Sequence, residues 1–146
     1  MSKSNTWETG LLNLLFNNDD FTLVGDAGGL RGSVADGSLY ISLHTSDPGE
    51  AGDQTSNEAS YTSYARVAVA RTSGGWTISG NGVENAAAVT FPECTGGSNT
   101  ITHFGVGTGS SGAGKLLYSG ALSASLAVSS GITPEFAAGA IDVTED

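Results

Sequence analysis

Positive charge is scarce in this sequence: five Lys and Arg stand against fifteen Asp and Glu, for a formal net charge of −10. The five, Lys3, Arg31, Arg66, Arg71 and Lys115, are scattered along the chain. Phosphate backbones are bound by clustered positive stripes, so no nucleic-acid partner is expected, and repulsion from anionic lipid disfavours a membrane surface in the same way. Cysteine is scarcer still. Cys94 stands alone, which excludes an intramolecular disulfide, and without a local histidine or basic neighbour to lower its pKa it reads as an inert, partly buried thiol. No stretch approaches the ~18 apolar residues of a membrane span. Lys3 is followed by Ser4, Asn5, Thr6, Trp7 and Glu8 instead of an apolar run, so no secretion signal is expected and the protein is expected to be soluble and made in the cytoplasm.

Glycine, by contrast, is abundant, with 22 of 146 residues. No Gly-X-Y period accompanies it and the apolar content is ordinary, so collagen and disorder fit poorly and the glycines read as turn residues. The length suits one domain with a single core. Trp7, Leu11, Leu14 and Leu15 recur at three- and four-residue spacing, with Leu12 on the edge of the stripe, and predict a short helix that ends near residues 17–20. Asn5 and Glu8 stand before it in a capping-box-like arrangement. Such a helix lies on its own domain's core or docks on a neighbouring subunit.

Residues 21–38 read as a long glycine-rich loop. After it the period changes to two. Leu39, Ile41 and Leu43 alternate with Tyr40, Ser42 and His44, and further alternating runs cover 66–71, 76–79, 86–91, 100–106, 115–122, 126–129 and 136–143. Seven or eight short strands joined by polar turns predict an all-β fold, an antiparallel β-sandwich of jelly-roll-like character with a short N-terminal helix. The expected organisation is a helical arm over residues 1–20 and a single β-sandwich domain over 21–146.

Candidate chemistry is thin. Gly109 to Lys115 matches the start of a phosphate-binding loop, yet Leu116 stands where a Ser or Thr is needed and the residues that follow read as a strand, so a hairpin loop is the better explanation. His44 and Asp47, joined by His103 if residues 39–44 and 100–106 were neighbouring strands, would suit a transition metal. No H-x-H or H-E-x-x-H spacing supports that, and Asp47 before Pro48-Gly49 reads as a turn cap. Asp47, Glu50, Asp53 and Glu58 offer oxygen ligands without EF-hand spacing, and a solvated acidic loop that seeks a basic partner is preferred. No G-x-S-x-G elbow occurs. No catalytic residue, cofactor site or metal site is therefore expected, and Trp7, Trp76, Phe91, Phe104 and Phe136 read as core or interface anchors.

The order of blocks carries more than any single motif. Trp7-Glu8 with Leu-Leu-Asn-Leu-Leu-Phe, then LYISLHTSDPGEAG, YARVAVARTSGGWTISGN, NAAAVTFPECTGGS, THFGVGTGSSGAGKLLYSGAL and ITPEFAAGAIDVTED, resembles a family of small virion proteins of tailed bacteriophages. Members are often labelled tail-fibre proteins, and similar small β-domains serve as capsid cement, or decoration, proteins on HK97-like shells. The resemblance implies a non-enzymatic structural role in the virion. One compact domain without repeats or heptads favours cement on the capsid surface, with the major capsid protein and further copies of the chain, as homodimer or homotrimer, for partners. Interaction would fall on Trp7, Leu11, Leu12 and Leu15 of the helix and on Asp47, Glu50 and Asp53 of the acidic loop. The alternatives are a tail or fibre component, and a glycan-binding module in which exposed Tyr40, Tyr61, Tyr64 or Trp76 stack on sugars.

Overall fold

The computed structural model describes residues 2–145. It is mostly β, with helix α1 (Asn5–Phe16) followed by β1 (Ser38–His44), β2 (Val67–Ala70), β3 (Trp76–Ser79), β4 (Gly82–Asn85), β5 (Val89–Thr90), β6 (Ser98–Gly107), β7 (Leu116–Ser129), β8 (Glu135–Phe136) and β9 (Asp142–Thr144). The strands form sheets in the orders β2-β1-β6-β7, β3-β4-β9 and β5-β8. Every resolved pairing within the two larger sheets is antiparallel. This all-β arrangement with one short N-terminal helix is consistent with a β-sandwich.

The chain divides into two compact units, each built from separate stretches. The first takes in residues up to 38, 69–89 and those from 136 onward; the second takes in Leu39–Ala68 and Thr90–Glu135. In the first unit α1 packs on β3 and β4. Its inward face is Glu8, Leu12 and Phe16, with both apolar members fully buried. Phe16 meets Trp76 edge to face at 4.7 Å between ring centroids, and Val83, Ile141 and Val143 complete the core. The stripe expected from the sequence is therefore rotated: Leu12 on its edge is the buried residue, while Trp7 is 39% exposed. Glu8 lies on the true inward face, and because a carboxylate does not read as apolar the 3.6-residue pattern settled on the neighbouring stripe.

The helix begins one residue earlier than the Asn5–Glu8 arrangement implies, because Ser4 is the N-cap and accepts the Trp7 N–H. At its other end Arg71 donates to the carbonyls of Leu15 and Leu14 at 2.6 and 2.7 Å. A cation on the last carbonyls satisfies groups that have no partner within the helix. Loop 18–36 is held by side chains instead of a ladder: Asp26 accepts the Gly28 and Gly29 amides, Asp20 the Gly32 amide, and Asn18 the Ser33 amide.

Several strand boundaries differ from the sequence reading: the run 86–91 is strand only at β5, and the run 136–143 spans the end of β8 and the start of β9, which lie in different sheets. Residues 82–85, which lie between the runs 76–79 and 86–91, form β4 and pair with β3 across the two-residue turn Gly80–Asn81. The runs 115–122 and 126–129 belong to one long strand, β7, but its ladder with β6 jumps from Ala121 opposite His103 to Leu126 opposite Ile101. Residues 122–125 bulge out between the two paired arms, and their interruption of the alternation is what divided the run in the sequence.

Candidate functional site

In the second unit, strand β1 carries two kinds of side chain. Leu39, Ile41 and Leu43 join Ile101, Val106 and Phe91 in an apolar core, while Ser42 and His44 on the opposite side are equally buried. His44 Nδ1 lies 2.8 Å from the Ser56 carbonyl and Nε2 lies 2.8 Å from Ser42 Oγ. A carbonyl only accepts, so Nδ1 carries the proton and Nε2 accepts from the serine. Burial holds the His44 pKa below its ordinary value. Ser42 stands opposite Gly105 in the ladder, and a Cβ there would lie 2.7 Å from Ser42 Oγ and 2.8 Å from His44 Nε2. Glycine makes room for the polar pair.

The neighbouring loops are pinned to this strand by three side chains. Arg66, its side chain 2% exposed, donates to both carboxylate oxygens of Glu58 at 2.6 and 2.8 Å. The same guanidinium reaches the carbonyls of Gly109 and Gly112 at 2.8 and 2.7 Å. Hydrogen bonding to Glu58 raises the Arg66 pKa further above its already high ordinary value. Tyr64 donates its hydroxyl to Glu58 and accepts the Leu43 N–H, and burial pushes its pKa upward. Gln54, fully buried, accepts the Gly109 amide at 2.8 Å, and its own N–H donates to the Ala113 carbonyl. A Cβ on Gly107 would lie 2.2 Å from Gln54 Cδ. The glycines that resembled a phosphate loop thus enclose a glutamine side chain in the hairpin loop between β6 and β7.

The residues singled out in the sequence are consequently spread over different tasks. His44 and His103 do face one another across β1 and β6, but His44 is engaged by Ser42 and Ser56, and Asp47 turns away to accept the Gly49 amide at 2.8 Å. Asp53 accepts from the Thr55 hydroxyl and amide, which hold its carboxyl below the usual range. Glu58 is spent on Arg66. Among the described residues no group of three or more His, Cys, Asp or Glu is placed to hold a metal, and no helix is long and apolar enough to cross a membrane. Cys94 is buried with its thiol against the Gly96 carbonyl. Trp76 and Tyr61, offered as sugar-stacking aromatics, are 0% and 3% exposed; neither presents a face to a ligand.

What remains accessible has the character of contact surface. In the first unit Leu23 and Val34 are 81% and 111% exposed, and Leu23 is held in the left-handed region at φ 65°, a conformation uncommon for a bulky residue. Of the helical residues proposed for interaction, Leu12 is consumed by the core, whereas Trp7 is exposed and Leu11 and Leu15 are half-buried. In the second unit a groove of about 410 Å³ has Asp47, Gly49, Glu50 and Gly52 on one wall and residues 116–119 of β7 on the other. Sequence reading placed Asp47 and Glu50 in an acidic loop but did not find the strand beside them, which only the topology brings there.

The family model described as podophage GP4 fiber I protein gp80 matches residues 2–144, and the chain belongs to that family. The match supports a structural role in the bacteriophage virion, and a virion location. No curated protein matches the chain.

Proposed function

We propose that this protein is a non-enzymatic component of a podophage tail fibre, acting through contacts with other virion proteins and with further copies of itself. The observation that carries the reading is the family match over nearly the whole chain. The surface supports it: exposed Leu23 and Val34 are the kind of apolar side chain that a protein interface covers. The net charge of −10 argues against nucleic acid as the partner.

Capsid cement, with the major capsid protein as partner, is the second reading. It is favoured by a single chain that lacks the repeats or heptads of a fibre shaft. Immunogold labelling of purified virions separates the two. Gold on tail appendages is the expected result, gold spread over the heads assigns the chain to the capsid, and label-free particles remove both readings.

A further inference from the structure

Strand β7 ends the four-stranded sheet. In an antiparallel ladder alternate residues turn their N–H and C=O groups away from the paired neighbour, and among the described residues no strand takes up those of β7 on its outer side. Folded proteins normally guard such an edge with charge, proline or a bulge. The second arm is guarded: residues 122–125 leave the ladder between the pairs Ala121–His103 and Leu126–Ile101. The first arm, Leu116-Leu117-Tyr118-Ser119-Gly120-Ala121, contains neither charge nor proline, and its ladder is broken once, at Leu117, where the pairing steps from Tyr118 opposite Val106 to Leu116 opposite Gly107. Its uninterrupted edge is residues 118–121, about 14 Å long at 3.4 Å per residue, and the groove faced by Asp47 and Glu50 runs beside residues 116–119.

The charge around this edge selects the occupant. Four of the five cations of the chain are committed within it: Lys3 to Glu145, Arg31 to Asp20, Arg66 to Glu58, and Arg71 to helix carbonyls. Lys115, next to the edge, is the remaining one. A second copy would bring its own charge of −10 against the two carboxylates and, among its Lys and Arg side chains, only Lys115 uncommitted to answer them.

We propose that residues 116–121 take up an extended segment of a different protein as an added β-strand, with Lys or Arg side chains of that segment meeting Asp47 and Glu50 across the groove. Main-chain pairing supplies the affinity in this mode of recognition and the side chains supply the selectivity. The inference goes beyond the fibre reading: it concerns binding by the purified chain, whereas that reading concerns presence in the particle, and either fails without the other.

The test uses the purified full chain with an octapeptide of alternating Val and Lys, its Val/Glu counterpart, and the Val/Lys peptide N-methylated at alternate residues. Hydrogen exchange of the backbone amides of residues 116–121 is the readout. The Val/Lys peptide is expected to slow exchange of the outward amides by about tenfold or more. The N-methylated and Val/Glu peptides are expected to leave it unchanged. Glu50→Lys, a change at an exposed loop position, should weaken Val/Lys binding about fivefold or more, and added salt should weaken it in the unmodified chain. Equal protection by the Val/Glu peptide, protection that survives N-methylation, or none at millimolar peptide overturns the proposal. So does sedimentation showing that the free chain already dimerises through these residues.

Discussion

The two units of this protein differ in what their buried polar side chains tie together. The first is mainly apolar: Leu12 and Phe16 of α1, Trp76 of β3, Val83, Ile141 and Val143 bury apolar surface against one another, with Glu8, Asn85 and Glu145 as buried polar side chains, Asn85 bonding the Ala87 and Ala137 carbonyls and the Ile141 amide. The second adds to its apolar core a layer of buried polar side chains, Ser42, His44, Gln54 and Arg66, which bond one another or reach Ser56, Glu58, Gly109 and Gly112 in the loops. Apolar packing tolerates some change of shape, while a buried polar network is costly as soon as one member is left unpaired. The polar layer therefore fixes the conformation of the two loops it ties, 45–60 and 107–115, and one of those loops forms a wall of the acidic groove.

Removing Arg66 is expected to have the largest effect. Arg66→Ala leaves Glu58 without its counter-charge and two loop carbonyls without their donor, and should destabilise the chain by about 3–5 kcal/mol, the range for breaking a buried pair. Urea unfolding measures this, and a much smaller loss in Arg66→Ala/Glu58→Gln than the sum of the single variants identifies the pair as the cause. In the first unit Leu12→Ala should cost about 2–5 kcal/mol as a core truncation, against less than about 1 kcal/mol for a truncation at half-buried Leu11. Equal losses at the two positions would restore the helix face expected from the sequence. Arg71→Ala should cost about 2 kcal/mol through the lost charged hydrogen bonds at the C-terminus of α1, read as a lowered urea midpoint.

The smallest effect is pH-dependent and confined to the second unit. His44 is neutral in its buried place, with a pKa below its unfolded value of 6.5. The unfolded chain therefore binds the proton more readily. The contribution of His44 is complete above the unfolded pKa and is lost as pH falls from there toward the folded pKa, by at most about 1.4 kcal/mol per pH unit. Urea midpoints at pH 7.5 and 5 should differ more for the unmodified chain than for His44→Asn. An equal difference in the two proteins would show that His44 does not set the acid response.

Legibility in the sequence follows the same division. Period-two alternation marked β1, β2, β3 and β6 because an apolar face repeats every second residue, and the turn chemistry of Asp47-Pro48-Gly49 was readable because an Asx turn is local. The helix was found but rotated, since Glu8 occupies its buried face. The polar layer left almost no trace. Nothing near Gln54 announces that its amide fills the space left by Gly107 and Gly109, and nothing near Glu58 announces Arg66, because these pairings depend on loops brought together by the strand order. The edge of β7 was hidden for a related reason. A strand becomes an edge by its place in the sheet, which β1, β6 and β7 settle together.

A cryo-electron-microscopy reconstruction of the virion, at a resolution that separates strands, tests the account most directly. The account predicts that the chain fits density in the tail fibres and that a strand from a different protein continues the sheet along residues 116–121, with a basic side chain facing Glu50. Density for the chain in which this edge and groove lie open to solvent, or its absence from the particle altogether, would contradict it.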